Sequence, residues 1–174
     1  MPRQRTRILT AVAAVAAVAA LAGAAVISMP AQATPPSPDV ATTILAKSAF
    51  DRIHVRAHAD TPDRWRALLK THGHSDVYVV DNKLPPGAST GWHSHPGPSL
   101  ILVVAGTVTN YPGHDPRCRP QVYPAGAGFI DPGGGDVHML RNESTALAET
   151  IAVQLLPNGA VRRIDAPAPT NCPT

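Results

Sequence analysis

The sequence predicts an all-β sandwich or barrel for the region after residue 33, on three observations. Apolar runs are short, Gly and Pro turns separate them at close intervals, and helical periodicity is almost absent. Of the chain's 19 prolines and 13 glycines, 17 and 12 fall after residue 33 and cut that region into strand-length pieces. No internal repeat is present.

The elements follow in order. Residues 34–39 are Pro-rich and polar, and read as a linker. From Val40 to His58 two short apolar patches, around Ile44-Leu45 and Ile53-Val55, read as short strands or an N-terminal arm. Arg64 to Lys70 fits either a helical face (Trp65, Leu68, Leu69) or a strand, and the strand is preferred. Val77 to Val80 is a strand, ended by Asn82 and the turn Pro85-Pro86-Gly87. Ala88 to His95 and Ser99 to Asn110 continue as strands. Leu100 to Val104, apolar throughout, reads as buried. Tyr111 to Pro120 is a turn-rich loop. Gln121–Tyr123, Gly128–Ile130 and Val137–Leu140 are short strands, the last after the tight turn Pro132 to Gly135. Ala146 to Leu156 alternates as a final long strand, and residues 165–174 form a Pro-rich tail.

The chain opens with Arg3, Arg5 and Arg7, an apolar run from Ile8 to about Ile27, and the small-x-small step Ala31-Gln32-Ala33. That layout predicts a signal peptide over residues 1–33, cleaved after Ala33, and a secreted or extracytoplasmic protein. The alternative is an uncleaved N-terminal membrane anchor. Without the leader, the 15 Lys+Arg fall by three to 12, matching the 12 Asp+Glu. The remaining chain is formally neutral, so no basic footprint for nucleic acid is left and no stable membrane insertion is expected after cleavage. It is long enough for one domain with its own core. Its two cysteines, Cys118 and Cys172, are expected to pair in an oxidising compartment; two free thiols are the alternative.

The chemistry centres on Pro86 to Gly106. His93 and His95 are at i and i+2, which on a strand puts both imidazoles on one face, and Pro96 favours extended geometry at His95. Gly87, five residues, His93, Ser94, His95, three residues, Ser99, six residues and Gly106 resemble the first motif of the cupin superfamily, with Ser99 at the usual Glu. Gly126, five residues, Pro132, Gly135, two residues, His138, three residues and Asn142 resemble the second, with one extra residue between Pro132 and Gly135. The chain is therefore identified as similar to single-domain cupins, with the domain over residues 40–164 and the motifs at 87–106 and 126–142.

That resemblance implies a double-stranded β-helix (jelly-roll) barrel. It makes His93, His95 and His138 candidate ligands of one divalent transition metal: Fe, Mn, Ni, Cu or Zn. Imidazole suits all of these and selects none. Ser99 is a candidate to hydrogen-bond a metal-bound water. Glu149, one of only two glutamates in the chain, is a candidate replacement ligand. The function so implied is a metal-binding protein with a small-molecule pocket, and its catalytic form is a metal-dependent dioxygenase-like enzyme. The alternative is a metal-free module that binds or senses a small molecule or sugar, and homodimerisation follows only from the family's habit. No Arg/Lys cluster near the histidines marks an anionic substrate, Arg141 being the one nearby cation. His54, His58, His72, His74 and His114 read as surface or hydrogen-bonded residues, Trp92 as packing, and Asn142 as structural rather than as a glycosylation site.

Overall fold

The computed structural model describes residues 32–172, so the expected leader over residues 1–33 lies almost wholly outside them. Among the described residues there are twelve strands and no helix. They are β1 (Ala41–Phe50), β2 (His54–His58), β3 (Arg66–Lys70), β4 (Ser75–Leu84), β5 (His93–Ser94) and β6 (Ser99–Ala105). The remainder are β7 (Thr107–Pro112), β8 (Gln121–Pro124), β9 (Gly128–Asp131), β10 (His138–Arg141), β11 (Ala148–Pro157) and β12 (Ile164–Asp165).

The pairing is nested and antiparallel: β4 with β11, β5 with β10, β6 with β9, β7 with β8. Pairs nested in this way make one long hairpin that coils into two sheets, a double-stranded β-helix. The sheets run β1-β4-β11-β6-β9 and β12-β5-β10-β7-β8, and β2-β3 forms a separate exposed ribbon.

Alternation of side chains drives the coil. In β11, Ala148, Thr150, Ala152, Gln154 and Leu156 turn inward and the residues between them outward. Leu84, Val103 and Ala148 from one sheet meet Val108 and Leu140 from the other in a shared apolar cluster. Tyr78, Val80, Ile101, Ala152 and Leu156 form a second. The expectation that Leu100 to Val104 is buried throughout is corrected here. Ile101 and Val103 are buried, whereas Leu100, Leu102 and Val104 face out and remain about half exposed. A strand with only one face on the core buries alternate residues, however apolar the rest.

A third cluster holds Trp92, Tyr111, Met139 and Cys118, the last bonded to Cys172 with 5.2 Å between Cα atoms. Trp92 packs there, opposite in strand parity to His93. The two Pro-rich ends are both tied to this sheet. Thr34 donates its N–H to Ala166 O and accepts from Trp92 N through its hydroxyl, Ala33 bridges Pro167, and Ala166 donates to Trp92 O. The domain read as residues 40–164 therefore extends into the expected linker and tail. The expected strand from Ala88 is shorter, pairing regularly only at His93–Ser94.

Gly106 closes the β6–β7 turn at φ +66°, where a Cβ would run into the Leu147 backbone. Asn142, fully buried, donates to Leu84 O (2.8 Å) and Ala146 O (2.7 Å) and accepts the Ser144 N–H (3.0 Å). It pins the β10–β11 connection to the end of β4. Asn142→Ala leaves two carbonyls without that donor, and an expected stability loss of about 2–4 kcal/mol is measurable as a lower urea midpoint; an unchanged midpoint would count against this role.

Candidate metal centre

The cluster is assembled by strand parity and register. His93 on β5 and His95 just beyond it share a face, and β10 places His138 directly opposite His93. The extra residue of the second motif is absorbed in the turn, where Gly133, Gly134 and Gly135 all take positive φ (+67°, +67°, +96°), so the register of His138 is kept. All three imidazoles are buried, with ring centroids 4.5–5.7 Å apart. One ligand atom from each falls within 4.8 Å of the others.

Hydrogen bonds select which nitrogen each ring offers. His93 Nδ1 lies 2.9 Å from Gly91 O and His95 Nδ1 2.6 Å from Arg162 O. A carbonyl only accepts, so both Nδ1 atoms carry the proton and both Nε2 atoms present a lone pair. His138 Nε2 lies 3.1 Å from His93 Nε2, while its Nδ1 looks back to Asp131 Oδ1 at 3.9 Å. Nitrogen atoms this close can share one first-row ion with bonds of about 2.0–2.1 Å. The donor set fits a divalent transition metal.

Burial keeps the rings neutral, which a ligand must be. Desolvation lowers the pKa of His138 to about 4. It lowers that of His95 to about 4 as well, opposed by the bond to Arg162 O. His93 is held well below its ordinary value by burial first and by the neighbouring His138, Arg163 and His95 second.

Ser99 is fully buried beside the cluster, its hydroxyl 3.5 Å from Asp131 Oδ2 and 3.3 Å from Gln154 Nε2. Glu149, the candidate replacement ligand, faces away. It has the opposite parity to Thr150 and Gln154 on β11 and sits 3.8 Å from Lys83 Nζ on the outer face. Gln154 is the β11 side chain that reaches the histidines, with Nε2 3.5 Å from His95 Nε2 and Oε1 accepting from Arg162 (3.2 Å). Asp131, on β9, is buried behind His138, accepts the Gly133 N–H, and has its carboxyl pKa raised by desolvation.

A cavity of about 250 Å³ opens onto the three histidines, walled also by Asn82, Thr90, Thr150, Gln154, Arg162 and Arg163. The expectation that no Arg cluster lies near the histidines is corrected: two consecutive arginines border the site, and Arg141 does not. Of the other histidines, His74 lies 3.0 Å from Asp51 and His114 2.8 Å from Asp136, both exposed, and His54 and His58 are on the β2–β3 ribbon.

No protein-family model matches the chain, and no curated protein matches it. Solved structures that it is similar to include cupin-superfamily proteins. One from Desulfitobacterium hafniense is 14% identical, with a TM-score of 0.46 over 68% of this chain and 79% of that one. A double-stranded β-helix protein from Klebsiella pneumoniae is 19% identical, with a TM-score of 0.44 over 67% and 84%. The cupin_2 domain of an Enterobacter cloacae transcriptional regulator is 19% identical, with a TM-score of 0.40 over 47% and 83%. These likenesses concern the fold, which the nested strand pairing of this chain carries by itself.

Proposed function

We propose that this protein is an exported cupin-type protein that binds one divalent first-row metal through His93, His95 and His138 and takes a small molecule in the adjoining cavity. One observation carries the reading: three buried imidazoles converge, two of them with Nδ1 fixed on backbone carbonyls so that Nε2 is left to ligate. When bound, such a metal supplies Lewis acidity and open positions for a ligand. The chain supplies the rest. Gly91 O and Arg162 O orient the rings, Asp131 stands behind His138, and Ser99 and Gln154 offer hydrogen bonds at the floor of the cavity.

With Ser99 where a carboxylate ligand would stand, no carboxylate among the described residues lines the cavity with the three histidines, which would leave a bound metal room in charge and coordination for a ligand. A dioxygenase-like reaction is the catalytic form of this reading. Export is supported by the leader-like first 33 residues and by the Cys118–Cys172 disulfide, which is compatible with an extracytoplasmic compartment. Among the described residues, no helix is long and apolar enough to cross a membrane.

The test is the metal content of the full chain, exported by its host and purified with neither tag nor chelator. Close to one first-row metal per chain is expected. Absence of metal, even after reconstitution near neutral pH, would overturn the reading in favour of a metal-free ligand-binding protein.

A further inference from the structure

We propose that the cavity takes a small organic acid, with its carboxylate on the Arg162 guanidinium. This deepens the small-molecule part of the reading above and is independent of whether metal is bound.

Arg162 is half-buried in the cavity wall, and its side chain bonds only Gln154 Oε1. Among the described residues no carboxylate lies within ion-pair distance of it. Its neighbour Arg163 differs, donating to Asp165 (2.6 Å) and to Thr90 O (2.7 Å). A desolvated guanidinium without a counter-charge is costly, and the second cation beside it adds to the cost. The buried acid beside the histidines, Asp131, is committed to Gly133, Ser99 and the far side of His138. Ser99 contributes no charge. The cavity is thus cationic before any metal enters, and the planar fork of Arg162 matches a carboxylate.

The wall that holds Arg162 also carries polar side chains, Asn82, Thr90 and Gln154 among them. The cavity of about 250 Å³ equals the volume of roughly eight waters, room for an acid of a few carbons.

The probes are lactate, its neutral analogue lactamide, and inorganic phosphate as a non-carboxylate anion. Binding is followed by calorimetry on metal-free and on Zn²⁺-loaded protein. Lactate is expected to bind both forms, and lactamide more weakly by about tenfold or more. Arg162→Gln is expected to lose lactate affinity by a similar factor and Arg162→Lys by less, each checked for native thermal melting. His95 is held by the main chain of residue 162, which both variants keep. Equal binding of lactate and lactamide, undiminished binding by Arg162→Gln, phosphate as tight as lactate, or no lactate binding in either form would overturn the proposal. Metal content of the same samples separates the two readings: lactate binding by a protein that takes up no metal upholds this one and sinks the metal site, and metal without lactate binding does the reverse.

Discussion

Metal-free protein is expected to lose stability steeply as the pH falls from about 6.5 to about 4. The folded pKa values of His93, His95 and His138 are depressed from 6.5, two of them to about 4, chiefly by burial. Above 6.5 the rings are neutral in both the folded and the unfolded chain, and nothing is lost. Below it the unfolded chain takes up protons that the folded chain refuses, so the balance tilts toward unfolding until the folded rings titrate. For His138 alone the full shift corresponds to roughly 3 kcal/mol. Asp76, Asp115 and Glu143, whose pKa values are lowered by hydrogen bonds, lose their contribution in a separate window at lower pH. Urea midpoints from pH 8 to 4 check this. A flat profile between 6.5 and 4 would mean that the rings are not held neutral, and the tightly buried site would be wrong.

Replacing His93 and His95 together by alanine is expected to abolish metal retention. Two of three nitrogen donors go, and the loss of affinity should exceed the roughly 10–100-fold that follows from removing a group bonded behind a ligand. The variant should still fold, because none of the three apolar clusters includes either histidine. The reading is metal content together with the rise in melting temperature on adding metal, and both should vanish. A variant that still holds metal near one per chain would place the site elsewhere.

Much of this architecture was legible in the sequence. The i, i+2 histidines and their spacing to His138 identify the cluster, because strand parity and register turn linear spacing directly into geometry. The extra residue in the second motif was harmless for a reason visible in the same line, since three consecutive glycines can form a longer turn without shifting β10. Other features were hidden. Leu100 to Val104 carries no alternation, so nothing in it says which face meets water. Glu149 and Gln154 are five residues apart, hence on opposite faces. The inward face is set by Ala148 and Ala152, small residues that look unremarkable in a list of apolar side chains. Arg162 and Arg163 precede a Pro-rich tail and reach the site only because β12 pairs with β5, opposite His93. That contact spans about 70 residues of chain, and no local pattern announces it.

The most direct measurement is an anomalous difference map from crystals of the protein grown with the metal it retains. One peak is expected among His93, His95 and His138, bonded to the Nε2 atom of each at about 2.0–2.1 Å, with His93 and His95 still bonded through Nδ1 to Gly91 O and Arg162 O. A peak that omits any of the three histidines, or a fully loaded protein with its metal elsewhere, would contradict the three-histidine site.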